Sequence, residues 1–198
     1  MANSQGGIDQ RTRSVLAPEK VRREALEAGR SLHPLGLGAG NLSELSLRLA
    51  GDVCLANPAG VSYLEMTLDR FCLVSLEKEH VLAGDAPPRR MAWHRAVYLQ
   101  TNARAVVLCQ PWAALVVAAQ GRLPDPRVLP GAAQAAGGLG LAQEDAVETA
   151  VTRWPAVLVP GSGLLVWAAS PGAALARAEA VQRWCEAALH LAACGGER

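Results

Sequence analysis

Arg89 and Arg90 stand together just after Pro87-Pro88, at the start of a stretch with Met91, His94, Ala96, Val97 and Tyr98 on or near one helical face. Positive charge at a helix N-terminus is disfavoured by the macrodipole, so two guanidinium groups there call for a partner. That partner is either a bound anion or a surface carboxylate such as Asp85. The four histidines, His33, His80, His94 and His190, share no spacing that joins them. His94 reads as a packed core histidine, and a metal site of His80, His94 and Cys109 would need the fold to gather them. Ser162 lies between two glycines but has Pro160 and Leu164 where a nucleophile elbow needs glycine. Cys54, Cys72, Cys109, Cys185 and Cys194 contain no CxxC pair, which excludes a zinc ribbon and a redox motif and leaves buried small hydrophobes. Leu35 to Gly40 is a glycine-rich turn, either a phosphate cradle or a tight bend.

The elements that must position these groups follow from periodicity and punctuation. Residues 1–16 are expected to form a flexible leader, ahead of one domain over 17–195. Pro18 opens a helix that runs to about Leu32, where the glycine-rich turn stops it. Leu45, Leu47 and Leu49 alternate with Ser46 and Arg48, and Val53–Ala56 and Phe71–Leu76 are further short strands. A helix follows Pro87-Pro88 to about Leu99, Ala105–Leu108 is a buried strand, and Pro111 stands at the first position of the next helix. Residues 121–142 are expected to be irregular with one short strand, 144–151 helical, and 156–159 and 163–167 strands. Ser170-Pro171 caps a final helix reaching Gly195-Gly196, with Leu175, Ala178, Val181, Cys185, Ala188 and Leu191 as its buried stripe. The sum is a three-layer α/β domain rather than a bundle or sandwich.

Composition narrows the function. With 51% hydrophobic residues and a net charge of +1, the chain has a full core and no field that would recruit nucleic acid or an anionic membrane. The uncharged stretches 105–121 and 154–176 are broken by Pro111, Pro155, Pro160 and Pro171, so neither reads as a membrane span. An odd number of dispersed cysteines without an apolar leader places the protein in a reducing cytoplasm.

The ordered series Gly38-Ala39-Gly40-Asn41-Leu42-Ser43, Asn57-Pro58-Ala59-Gly60, Pro87-Pro88 with His94 and Tyr98, Ala105-Val106-Val107, and Val159–Val166 resembles the class II aldolase/adducin family over residues 18–192. That family includes the fuculose-phosphate and ribulose-phosphate enzymes. The resemblance implies a central, mainly antiparallel sheet flanked by helices, commonly in a tetramer with active sites between subunits. It also implies a zinc held by two histidines in Val-Val-His-x-His and a third in Asn-His-Gly-Leu-Leu, where the metal stabilises an enediolate as a Lewis acid. Those positions are Leu108, Gln110 and Ser162. The acid/base glutamate of Pro-Ser-Ser-Glu-x-x-x-His falls on Arg90, which stays protonated and cannot shuttle a proton. The two phosphate-holding serines fall on Pro88 and Arg89, and the Thr-Pro-Ser-Gly turn on Asn57-Pro58-Ala59-Gly60.

These departures are mutually consistent, because a buried carboxylate beside a vacated cation site would be an uncompensated charge. The expectation is a kept scaffold with the zinc chemistry gone: a pseudoenzyme, or structural or regulatory subunit, in a homo-oligomer or a hetero-oligomer with an intact relative. The competing class is a metal-independent enzyme acting on a small anionic carbonyl or carboxylate. Asn41, Gly60, Arg89, Arg90, Gln110 and Ser162 form the candidate ligand-binding set, with no catalytic residue, metal or cofactor assigned. Two guanidinium groups are expected to leave that pocket net positive and suited to a carboxylate or phosphate.

Overall fold

The computed structural model describes Thr12 and residues 17–38, 41–78 and 80–195. The expected leader, Ala39 and Gly40 therefore lie outside the described residues, Thr12 excepted. Among the described residues one eight-stranded sheet runs through the molecule in the order β4-β3-β2-β1-β5-β8-β7-β6. Its strands are β1 Glu44–Arg48, β2 Val53–Ala56, β3 Cys72–Ser75, β4 Val81–Ala83, β5 Ala105–Cys109, β6 Gly140–Leu141, β7 Ala156–Val159 and β8 Gly163–Ala168. Every neighbouring pair is antiparallel except β6 with β7. The helices are α1 Glu19–Ser31, α2 Met91–Gln100, α3 Trp112–Ala119, α4 Pro130–Ala136, α5 Val147–Ala150 and α6 Pro171–Gly195.

Side chains alternate across a strand, so the sheet divides its apolar residues between two layers. Leu45, Leu47, Val107 and Leu164 face the layer that holds α3 and α6. Cys54, Val74, Val106 and Leu165 face the layer of Trp93, Val97 and Tyr98 on α2. This is the three-layer α/β arrangement expected from the interleaved strands and helices. It also separates Cys109 from His94, which lie on opposite faces of the sheet, while His80 is exposed; the three-residue metal site is not formed.

Three local expectations need correction. Residues 121–142 contain α4 as well as a 3-10 turn at Pro126–Val128, because Pro130 can open a helix without loss of a needed N–H. Pro111 is the extended residue before α3 (φ −68°, ψ 129°) rather than its first helical residue. The buried stripe of α6 ends at Cys185; Ala188 is only partly covered and Leu191 is 61% exposed. Twenty-five residues of helix extend roughly 37 Å at 1.5 Å each, so α6 overhangs the sheet that covers its first half.

Four cysteines are buried and Cys194 is exposed, all with free thiols. Burial pushes the Cys109 and Cys185 thiols up to about 12, and lifts Cys54 further in the same direction. Because the thiolate is the reactive form, native protein at pH 8 should show one fast-reacting thiol per chain with a disulfide reagent. Cys194→Ser should abolish that fast phase; a second fast thiol in the native protein would contradict the assigned burial.

Candidate functional site

The matched positions converge at the end of the sheet where β5 finishes. In β1–β5 pairing Glu44 lies opposite Leu108, and Gln110 follows directly after β5. The β7–β8 turn carries Ser162 to the same end, and the Gln110 side-chain amide donates to the Ser162 carbonyl at 3.2 Å. Arg90 is the N-cap residue of α2. Its Nη2 lies 2.5 Å from Glu144 Oε1 and donates to Ser162 Oγ at 3.1 Å, and the Ser162 hydroxyl donates to the same Glu144 oxygen at 2.5 Å. The guanidinium stacks over Trp93, 4.9 Å from the ring centre. Arg90, Gln110 and Ser162 are thus joined by direct bonds centred on Ser162, and Glu144, a residue that sequence reasoning placed only within a helix, bonds to both Arg90 and Ser162.

Arg89 is exposed and makes no ion pair or hydrogen bond with the described residues. Asn41 and Gly60 are joined to each other, the Asn41 amide donating to the Gly60 carbonyl at 3.2 Å. The Gly60 turn is drawn toward the approach to α2 by the Ala59 N–H, which donates to the Ala86 carbonyl at 3.0 Å. Asn57 serves the fold: its Oδ1 accepts the Leu45 N–H at 2.8 Å and its amide donates to the Ser43 and Pro58 carbonyls.

Beneath this ring lies a buried polar chain between β1 and α2. Glu44 accepts the Arg90 N–H at 3.2–3.3 Å, and its Oε2 is 3.5 Å from His94 Nε2. His94, fully buried, has its Nδ1 2.7 Å from Ser46 Oγ, which is 2.8 Å from the Tyr98 hydroxyl. Burial holds the Tyr98 phenol well above its ordinary range, so it stays protonated as a donor. One assignment of protons satisfies the first two links: Tyr98 donates to Ser46 and Ser46 donates to Nδ1, while the buried Nε2 faces the Glu44 carboxylate without a hydrogen bond. The signal was present in the spacing. Glu44, Ser46 and Arg48 share one face of a strand at period two, and Arg90, His94 and Tyr98 recur every four residues along a helix.

Glu44 also explains how Arg90 is tolerated at a helix start. Helix α2 has no side-chain cap of its own and no acidic residue in its first turn. The Glu44 carboxylate, supplied from β1, caps an orphan N–H and offsets the dipole. Two expectations about charge are therefore corrected. Arg90 pairs with Glu144 rather than Asp85, which faces Arg70 at 3.6 Å. The Arg90 charge is met by the Glu44 and Glu144 carboxylates, at its backbone N–H and its guanidinium, where two unmatched guanidinium groups were expected.

The donor set does not suit zinc. Leu108 has no ligating atom, Gln110 offers only a neutral amide oxygen, a poor zinc donor, and the Ser162 hydroxyl is shared with a guanidinium that would repel a dication. Among the described residues no three His, Cys, Asp or Glu side chains gather as a metal site.

A mainly antiparallel sheet between helical layers, with its polar cluster at the β5 end beside the start of α2, defines the class of protein. The model of the class II aldolase and adducin N-terminal domain matches residues 23–189, and the chain belongs to that family. A stretch of 85 residues is 31% identical to a 3-oxo-tetronate 4-phosphate decarboxylase of Pectobacterium atrosepticum, covering 43% of this chain and only 38% of that relative. Among solved structures, YgbL of Klebsiella pneumoniae superposes with a TM-score of 0.78 at 25% identity, over 87% of this chain and 90% of its own. An L-fuculose 1-phosphate aldolase superposes with a TM-score of 0.79 at 20% identity, over 93% and 91% of the two chains.

Proposed function

We propose that this chain keeps the class II aldolase fold without zinc-dependent carbon–carbon cleavage, and acts as a structural or regulatory subunit of a homo-oligomer or of a hetero-oligomer with an intact relative. The observation that carries this reading is the ring of Arg90, Glu144 and Ser162 beside Leu108. At the position matched to an acid/base carboxylate it has a group that does not release its proton, and at positions matched to imidazoles it has a hydrocarbon, an amide and a hydroxyl. Asn41, Gly60, Arg89, Arg90, Gln110 and Ser162 remain the proposed ligand-binding set for a small anion, with exposed Arg89 supplying attraction and the Arg90 fork the directional bonds. Exposed Trp112 and Val116, one turn apart on α3, offer an apolar strip for a subunit contact. The free cysteines support a reducing cytoplasm. None of the described helices is long and apolar enough to cross a membrane.

A second reading, a metal-independent enzyme acting on a small anionic carbonyl or carboxylate, is favoured by Glu44. This carboxylate is almost buried at the same end of the sheet and is in line with His94, Ser46 and Tyr98. The name of the decarboxylase relative supplies the compound to try. Purified protein should contain substoichiometric zinc by elemental analysis, elute in light-scattering chromatography as more than a monomer, and leave 3-oxo-tetronate 4-phosphate unchanged. Stoichiometric zinc or a clean monomer would overturn the first reading. Turnover that survives EDTA and is lost in Glu44→Gln would establish the second.

A further inference from the structure

We infer that Glu144 is an internal stand-in for a ligand carboxylate, closing a subsite on Arg90 and Ser162 that takes a small organic carboxylate when Glu144 swings away. The inference rests on the reading of this site as one without a metal. Its starting point is an asymmetry in how the three groups are held. Arg90 is fixed from two sides, its guanidinium stacked on buried Trp93 and its backbone N–H on Glu44. Ser162 is buried in the tight turn between β7 and β8, with its carbonyl held by Gln110. Glu144 opens a three-residue 3-10 turn, and its side chain is half exposed.

The fixed partners thus form a receptor, and the movable partner is a carboxylate. It occupies that receptor incompletely. One oxygen, Oε1, takes both the Arg90 and Ser162 contacts, whereas Oε2, Arg90 Nε and Arg90 Nη1 have no partner among the described residues. A guanidinium presents its donors as a planar fork, and a free carboxylate can approach it with both oxygens. Charge favours the exchange as well. With Glu144 in place the Arg90 charge is paired; once it leaves, the guanidinium has no carboxylate partner among the described residues, because Glu44 is engaged with the backbone N–H of Arg90.

An intramolecular carboxylate competes with any added one, so the apparent affinity falls by the fraction of time the subsite is open. Removing the competitor should raise affinity. Titration with sodium acetate at constant ionic strength, followed by backbone amide shifts on EDTA-treated protein, should show Glu144→Ala binding about tenfold more tightly than the wild type. Arg90→Met in the Glu144→Ala background should lose that binding, and Arg90→Lys should restore less than half of it because a point charge lacks the fork. Unaltered circular dichroism checks that each variant is folded. Equal acetate affinity in wild type and Glu144→Ala would overturn the inference, as would binding that survives Arg90→Met. Inorganic phosphate under the same conditions should gain less than acetate, and an equal or greater gain would overturn the carboxylate assignment. Zinc content is read separately on untreated protein, so a failure of the metal-free reading stays distinct from a failure of this one.

Discussion

Replacing His94 by phenylalanine should destabilise the protein by about 3 kcal/mol, because it strands the buried Ser46 hydroxyl and puts hydrocarbon in place of the polar ring facing the nearly buried Glu44 carboxylate. For a chain of this length that corresponds to a fall in Tm of roughly 6–12 °C. The ring is fully buried between Glu44, 3.5 Å from Nε2, and the Ser46 hydroxyl of the Ser46–Tyr98 pair, 2.7 Å from Nδ1. Phenylalanine fits the volume, so the cost reports the polar chain rather than a cavity. Ser46→Ala should cost about 1–2 kcal/mol, since it strands Tyr98 while removing only a hydroxyl. Arg89→Ala, at an exposed group without partners, should stay within about 0.5 kcal/mol. Equilibrium urea unfolding of the three variants gives the order directly. A loss below about 1 kcal/mol for His94→Phe would mean that the row is packing with incidental polarity.

Gly163→Ala should be at least as damaging, at about 3–5 kcal/mol, and its effect should reach the site. Gly163 has φ +135°, and an added Cβ would stand 2.3 Å from the Cys109 carbonyl oxygen and 3.4 Å from the Gln110 side chain. A backbone oxygen cannot give way as a side chain can. The β7–β8 turn would be forced off the end of β5, carrying Ser162 away from Gln110, Glu144 and Arg90. Gly172→Ala provides the contrast: it lies near the start of α6 with open space around its Cβ position, and should stabilise by up to about 1 kcal/mol. The same unfolding experiment, with amide shifts of residues 110 and 162 as a local readout, tests both. Gly163→Ala with wild-type stability would show that the turn relaxes in a way the close contact does not suggest.

The elements and their facing were legible in the chain because local rules decide them. Leu45 and Leu47 alternating with Ser46 specify a two-faced strand, Pro18 and Ser170-Pro171 mark helix starts, and the motif order identifies the family. The absence of imidazoles at Leu108, Gln110 and Ser162 was equally plain from position alone. What replaced them was not. Glu144 is separated from Arg90 by 54 residues and from Ser162 by 18, and no periodicity relates the three. Only the closing of the sheet brings the turn after β6 against the β7–β8 turn and the head of α2. The partners of Arg90 were hidden for the same reason: Arg89 and Arg90 are adjacent in sequence, whereas the carboxylates that meet Arg90 arrive from β1 and from a distant 3-10 turn. Side-chain type and local order are properties of short segments, but pairing at a site depends on which segments the tertiary structure sets side by side, and electrostatic energy depends on those distances.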